Sequence, residues 1–100
     1  GVRPSQAQRG LKHAWFSDIA TTFQQRSGKP FTLEYIKETM KFRYGPVDEL
    51  TNKPISTERY TPAQRNDFLS RIEVYAIEQG VRLTAVPPDD TYNQYREAHN

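Results

Sequence analysis

Leu11, Trp15, Ile19 and Phe23 recur every four residues, and the run ends at Ser27-Gly28-Lys29-Pro30. Side chains four apart share one face of an α-helix, whereas a strand alternates faces at every second residue. The front of the chain is therefore committed to one long helix, from about Ser5 to Arg26, with an apolar face that something must cover. Ala14, Phe16 and Ala20 widen that face. Ser5 can cap the start through its hydroxyl. Gly28 and Pro30 end the helix, since glycine tolerates left-handed dihedrals and proline cannot continue it.

Two further helices read from the same physics. Thr32 is a cap, Phe31 before it can staple onto Ile36, and Leu33, Ile36, Met40 and Tyr44 form a buried side up to Gly45-Pro46. Thr61-Pro62-Ala63-Gln64 is a capping box with proline at the first helical position. It opens a helix with Phe68, Leu69, Ile72, Tyr75 and Ala76 inward, closed by Gly80, with Val81 folding back on the last turn. Residues 47–60 show no helical period. Leu50-Thr51-Asn52-Lys53-Pro54 reads as a turn and residues 54–57 as extended. Val81 to Val86 alternates before Pro87-Pro88, and Asp89-Asp90 can cap a short last helix through Tyr92, Tyr95 and Arg96, within a loose tail over 87–100. The expected fold is mainly α with a short β-hairpin or extended arm (α+β) around a three-helix core.

One hundred residues suit a single domain spanning 1–100. Apolar residues make up only 35 % of the chain, so its twelve Phe, Tyr and Trp residues must supply much of the core, and a partner, such as a second copy of the chain, is expected to complete part of it. Without cysteine, disulfides and thiolate metal sites are excluded and a reducing compartment fits. No apolar run approaches the ~20 residues of a membrane span, and no signal peptide is evident. A cytoplasmic location is expected. Gly1 in place of methionine suggests a piece of a longer protein.

Catalytic grammar is missing. His13 and His99 are far apart, no glycine-rich phosphate loop is present, and no serine has a neighbouring base. Asp48-Glu49 and Asp89-Asp90 could hold magnesium in a nuclease, but paired acids in loops are more commonly solvated or caps. Neither an enzyme nor a cofactor is expected. The charge is more telling. Residues 1–65 carry eleven bases against six acids, and residues 66–100 carry three against six. A basic front suits a polyanion.

Three clusters make up that front. Arg3, Ser5, Gln8, Arg9 and Lys12 surround the start of the first helix, whose free amides also favour anions. Phe16 is the candidate exposed aromatic there, with Trp15 assigned to the core. Lys37, Lys41 and Arg43 lie on the second helix, where pairing with Glu34 and Glu38 is the competing reading. Ser56, Thr57, Arg59 and Tyr60 combine hydroxyls, a planar cation and a ring, a mixture found at single-strand contacts. Against this, Ser56 and Thr57 could equally cap a turn and Tyr60 pack over the third helix.

The order of these motifs resembles the NinB/Orf recombination proteins of lambdoid phages and their prophage relatives. Arg3-Pro4-Ser5-Gln6-Ala7-Gln8-Arg9 leads to a Trp15-Phe16 helix. Lys37-Glu38-Thr39-Met40-Lys41-Phe42-Arg43-Tyr44-Gly45 comes next. Ser56-Thr57 then precedes Tyr60-Thr61-Pro62-Ala63-Gln64, and Tyr75-Ala76-Ile77-Glu78-Gln79-Gly80-Val81 closes the match over residues 3–85. The family pattern has Gln-Asn-Arg where Gln6-Ala7-Gln8-Arg9 stands here, and its β-rich N-terminal portion has no counterpart. The resemblance implies a homodimer that binds single-stranded DNA, and duplex more weakly. It would help load a recombinase where single-strand-binding protein already sits. The alternative is a module that contacts the recombinase or single-strand-binding protein without touching DNA.

Overall fold

The computed structural model describes residues 6–85, with side chains from residue 10 onward. Three α-helices form the fold: α1 (Gln6–Ser27), α2 (Leu33–Tyr44) and α3 (Pro62–Glu78), with a 3-10 turn at Thr57–Arg59. α2 packs on both α1 and α3. Leu11, Trp15 and Ile19 are buried, as their spacing requires, and they meet Ile36, Met40, Phe68, Leu69, Ile72 and Ala76 in one core. The proposed cap Ser5 and the expected helix after Asp89 lie outside the described residues.

The expected caps form. Thr32 Oγ1 accepts the Tyr35 amide at 3.0 Å. Thr61 Oγ1 accepts the Gln64 amide at 3.1 Å while Gln64 Oε1 accepts the Thr61 amide at 2.9 Å, a reciprocal pair that satisfies two helix-start donors. At the far end of α3, Gly80 adopts φ +70° and the Val81 amide returns to the Ala76 carbonyl at 2.8 Å. That left-handed residue turns the chain, and Val81 is buried against the helix it has just left.

The β-hairpin expected between α2 and α3 is not formed. One antiparallel bridge joins Val47 to Pro54, flanked by Asp48 N–H to Lys53 O at 2.8 Å and Ile55 N–H to Pro46 O at 3.0 Å. Pro46 and Pro54 have no amide hydrogen, so a ladder cannot extend through them. The tip is held instead by Asp48, whose Oδ1 accepts the amides of Leu50 at 2.8 Å and Thr51 at 3.1 Å. Those bonds to Thr51 and Leu50, with a smaller contribution from Arg59, hold the Asp48 carboxyl below the usual carboxylate range. Thr57, expected to end the extended arm, instead opens the 3-10 turn over residues 57–59, capped by Ser56 Oγ accepting the Glu58 amide at 3.4 Å.

Tyr60 comes after that turn and plugs the fold. It is 2 % exposed and stands edge-on to Phe68, centroids 5.4 Å apart. Its hydroxyl is buried without a hydrogen-bond partner among the described residues. Burial, reinforced by the Glu38 carboxylate, pushes its pKa up to about 12. A β-carbon added at Gly45 would lie 2.6 Å from Tyr60 Oη and 2.8 Å from the Lys41 carbonyl. Only glycine lets Tyr60 close over the end of α2.

Gly45→Ala is therefore expected to lower stability in urea denaturation by about 1–3 kcal/mol, the usual cost of overpacking. Adding Tyr60→Phe should return part of that loss; strict additivity would show that the hydroxyl is not the obstacle. Tyr60→Phe alone should be neutral or stabilising at pH 7, since it removes an unpaired buried donor. The sign of the pH effect comes from the direction of the shift. A folded pKa of about 12, above the ordinary value of 10.0, means that the protonated phenol favours the fold fully below pH 10 and that this advantage is lost as pH rises toward 12. Denaturation midpoints measured across that window should fall more steeply for the parent chain than for the phenylalanine variant. Parallel slopes would contradict the burial.

Candidate nucleic-acid interface

The three sequence clusters fare differently. Arg3 and Ser5 lie outside the described residues, and the side chains of Gln8 and Arg9 do as well. Lys12 is half-buried on α1. Phe16, expected to be exposed for stacking, is 6 % exposed and belongs to the core. It lies one turn before Ala20, itself buried, so the apolar arc of α1 is broader than one stripe. Tyr60 and Thr57 are buried too, which removes the expected stacking ring and one of the expected hydroxyls from the surface. Ser56 stays exposed but caps the 3-10 turn, and Arg59 is exposed in that turn, close enough to Asp48 to influence its ionisation.

The α2 cluster is split. At about 100° per residue, Arg43 projects roughly 200° around the helix from Lys41. Lys37 and Lys41 share one flank, and Lys41 Nζ sits 3.6 Å from Glu38 Oε1, realising the competing ion-pair reading. No ion pair holds Lys37 among the described residues. Arg43 lies on the opposite flank, its guanidinium carbon 5.3 Å from the ring centre of Tyr75 on α3 and 6.0 Å from that of Tyr44. Attraction to the ring faces, not a carboxylate, positions this cation.

Around Arg43 the structure assembles a feature that helical spacing assigns to the core or passes over. Five rings are linked in sequence by ring–ring contacts. Tyr35 contacts Phe31 at 5.8 Å, Phe31 contacts Phe23 at 5.6 Å, Phe23 contacts Tyr75 at 6.4 Å, and Tyr75 contacts Tyr44 at 5.9 Å. They come from α1, the α1–α2 linker, both ends of α2, and α3. Tyr35 is 58 % exposed and the other four are half-buried. Neighbouring rings meet edge to face or tilted, the arrangement their quadrupoles favour. The contacts hold these residues against one another, with Tyr35 the most exposed of the five.

Polar groups border this ridge. A shallow cleft beside Tyr44 is rimmed by Arg43, Gln64, Asp67 and Arg71, over a Gly45-Pro46 floor. Arg71 Nε pairs with Asp67 Oδ2 at 2.9 Å, an exposed pair that contributes little to stability and that a competing anion can open. At the other end, Lys29 is exposed two residues before Phe31. Two arginines elsewhere have structural tasks: Arg26 donates to the carbonyls of Gln79 and Gly80, and buried Arg65 donates to the Tyr60 carbonyl at 3.0 Å. Among the described residues no three His, Cys, Asp or Glu side chains converge as metal ligands, and no helix is long and apolar enough to cross a membrane.

A ridge of rings at 5.6–6.4 Å spacing is wider than the ~3.4 Å rise per nucleotide of a stacked strand. It suits bases that have been drawn apart, with cations at the edges for phosphate. Comparison with protein-family models, curated proteins and solved structures returns no match, so the geometry alone carries the case for this interface.

Proposed function

We propose that this chain is a sequence-tolerant single-stranded DNA-binding domain of a recombination mediator, acting in the manner of the NinB/Orf proteins it resembles. The observation that carries the reading is the five-ring ridge ending under Arg43, a cation held by ring faces and not by a carboxylate. Bases lie against Tyr35, Phe31 and Tyr44, and phosphates meet Arg43, Arg71 and Lys29. Arg9 and Lys12 at the start of α1, with Lys37 and Arg59, add a second set of phosphate contacts. Stacking on rings does not depend on base identity, since every base has a π-face, and phosphate contact carries no sequence information. A protein that covers whichever strand end recombination exposes needs that tolerance. In this reading it acts as a homodimer in the bacterial cytoplasm and hands the strand to a recombinase.

A second reading has its own observation. Phe42 is 79 % exposed on α2 and Leu50 is 96 % exposed at the loop tip. Such side chains suit a protein partner, the recombinase or single-strand-binding protein, and this contact could accompany DNA binding or replace it.

Fluorescence anisotropy with a labelled oligonucleotide separates the two. With only the three phosphate contacts at the ridge (Arg43, Arg71 and Lys29), affinity should fall roughly twentyfold between 50 and 200 mM salt, from a slope of about −0.7 per contact, and each contact of the second set that engages steepens the fall. Tyr35→Ala should weaken binding by about 1–3 kcal/mol, the worth of one stacked base, for all sequences alike. Arg43→Ala should weaken it and flatten the salt dependence. Salt-independent binding, or unchanged affinity in both variants, defeats the DNA reading. A pull-down of the recombinase that survives nuclease treatment would then favour the second.

A further inference from the structure

The groove between the end of α2 and α3 has two compartments. The first, about 310 Å³, is the cleft rimmed by Arg43, Gln64, Asp67 and Arg71. The second, about 270 Å³, is lined by Tyr44, Val74 and Tyr75, with Glu78 at the end of α3. Tyr44 and Arg71 line both, so the compartments adjoin. A polar, cationic space therefore lies beside an apolar, aromatic one. Sites for small ligands combine the same ingredients, apolar walls with a few placed polar groups.

The donors of the first compartment are set by their other bonds. Gln64 Oε1 accepts the Thr61 amide at 2.9 Å, which leaves the side-chain amide nitrogen as the atom Gln64 can offer to the cleft. Arg43 is seated by the rings of Tyr75 and Tyr44, and no carboxylate pairs with it among the described residues. Arg71 donates its Nε–H to Asp67 Oδ2 at 2.9 Å, which leaves its terminal N–H groups for another acceptor. That pair is exposed, so an incoming anion can take Arg71 over from Asp67. A phosphodiester inside a strand offers two free oxygens and a single negative charge. A terminal phosphate monoester offers three free oxygens and a charge of about −1.5 to −2 at pH 7. Two guanidiniums and a carboxamide match the monoester better, since each guanidinium can hold two oxygens in parallel.

We propose that this groove binds a terminal nucleotide, with its phosphate monoester in the cleft among Arg43, Gln64 and Arg71 and its base against Tyr44 and Val74. The proposal rests on the reading of Arg43 and Arg71 as phosphate contacts, and it adds a preference for the end of a strand over its middle. Asp67 sets that preference. A monoester carries enough charge to displace it from Arg71, and a diester carries less. A strand end and a free mononucleotide share this chemistry.

Competition anisotropy with one oligonucleotide, carrying a phosphate at its 5′ end, at its 3′ end or at neither, tests the preference. The full chain should bind one phosphorylated form about three- to tenfold more tightly than the hydroxyl-ended strand, the range that one or two exposed ion pairs supply. Asp67→Asn should widen that ratio. Arg71→Ala should return it to one while the hydroxyl-ended strand still binds through the remaining cations. Both substitutions alter an exposed pair, and Trp15 emission checks that the variants are folded. Thymidine 5′-monophosphate, followed by NMR shifts of the tyrosine ring signals with thymidine as the control, reads the groove without a strand. Saturable shifts that Arg71→Ala removes are expected. A ratio of one in the parent overturns end recognition and leaves the DNA reading standing. A preference that survives Arg71→Ala puts the phosphate elsewhere and overturns the site. If no oligonucleotide binds at any salt, the DNA reading falls and the monophosphate decides the groove: saturation keeps it as a mononucleotide site, and unmoved signals overturn it.

Discussion

The fold closes at Trp15. Its ring is buried on the face of α1 that the four-residue spacing defines, and its N–H would be costly to bury unpaired. The partner is the carbonyl of Ala85, seventy positions along the chain. One aromatic residue thereby fixes both the core of the first helix and the place where the last described segment lies. Asp18, on the next turn, repeats the arrangement with Thr84. α1 consequently packs against α2 and the segment after α3, with Phe23 reaching Tyr75 of α3, and its apolar arc is broad. Phe16 is drawn into the core for that reason.

Features decided locally were legible in the sequence. A capping box, a glycine after a helix, and a four-residue stripe each depend on neighbours within a turn or two, and all three helices and the caps of α2 and α3 appear where those signals lie. Tertiary decisions were hidden. The hairpin reading counted extended propensity over 54–57 but not the two prolines that deny the ladder its donors. Tyr60 carried the signature of a stacking residue, yet Gly45 clears a space beside it that only an aromatic plug fills. The ridge was hidden in another way. Phe23, Phe31, Tyr44 and Tyr75 each satisfy a helix or staple pattern, and periodicity does not distinguish a ring covered on all sides from one covered on half. Only Tyr35, on the outward side of α2, could have suggested a surface aromatic.

Charge teaches a related lesson. Eleven bases against six acids in the first 65 residues describes a surplus, not a surface. Folding allots those cations to separate tasks: Arg26 to carbonyls at the end of α3, Arg65 to the Tyr60 carbonyl, Lys41 to Glu38. Arg43 escapes because its turn of α2 brings it over Tyr75, and a ring face holds a guanidinium without neutralising it. Such a cation remains available to phosphate while its geometry is already set, which lowers the ordering cost of binding.

The same arrangement limits what the interface can do. Rings that meet edge to face are locked against one another, so they cannot rotate to grip a particular base, and the cations at their margins are few. In the proposed function, binding through such a ridge would be tolerant of sequence and modest in strength. For the proposed role weak contacts would be an advantage, because a mediator that held DNA tightly would obstruct a recombinase.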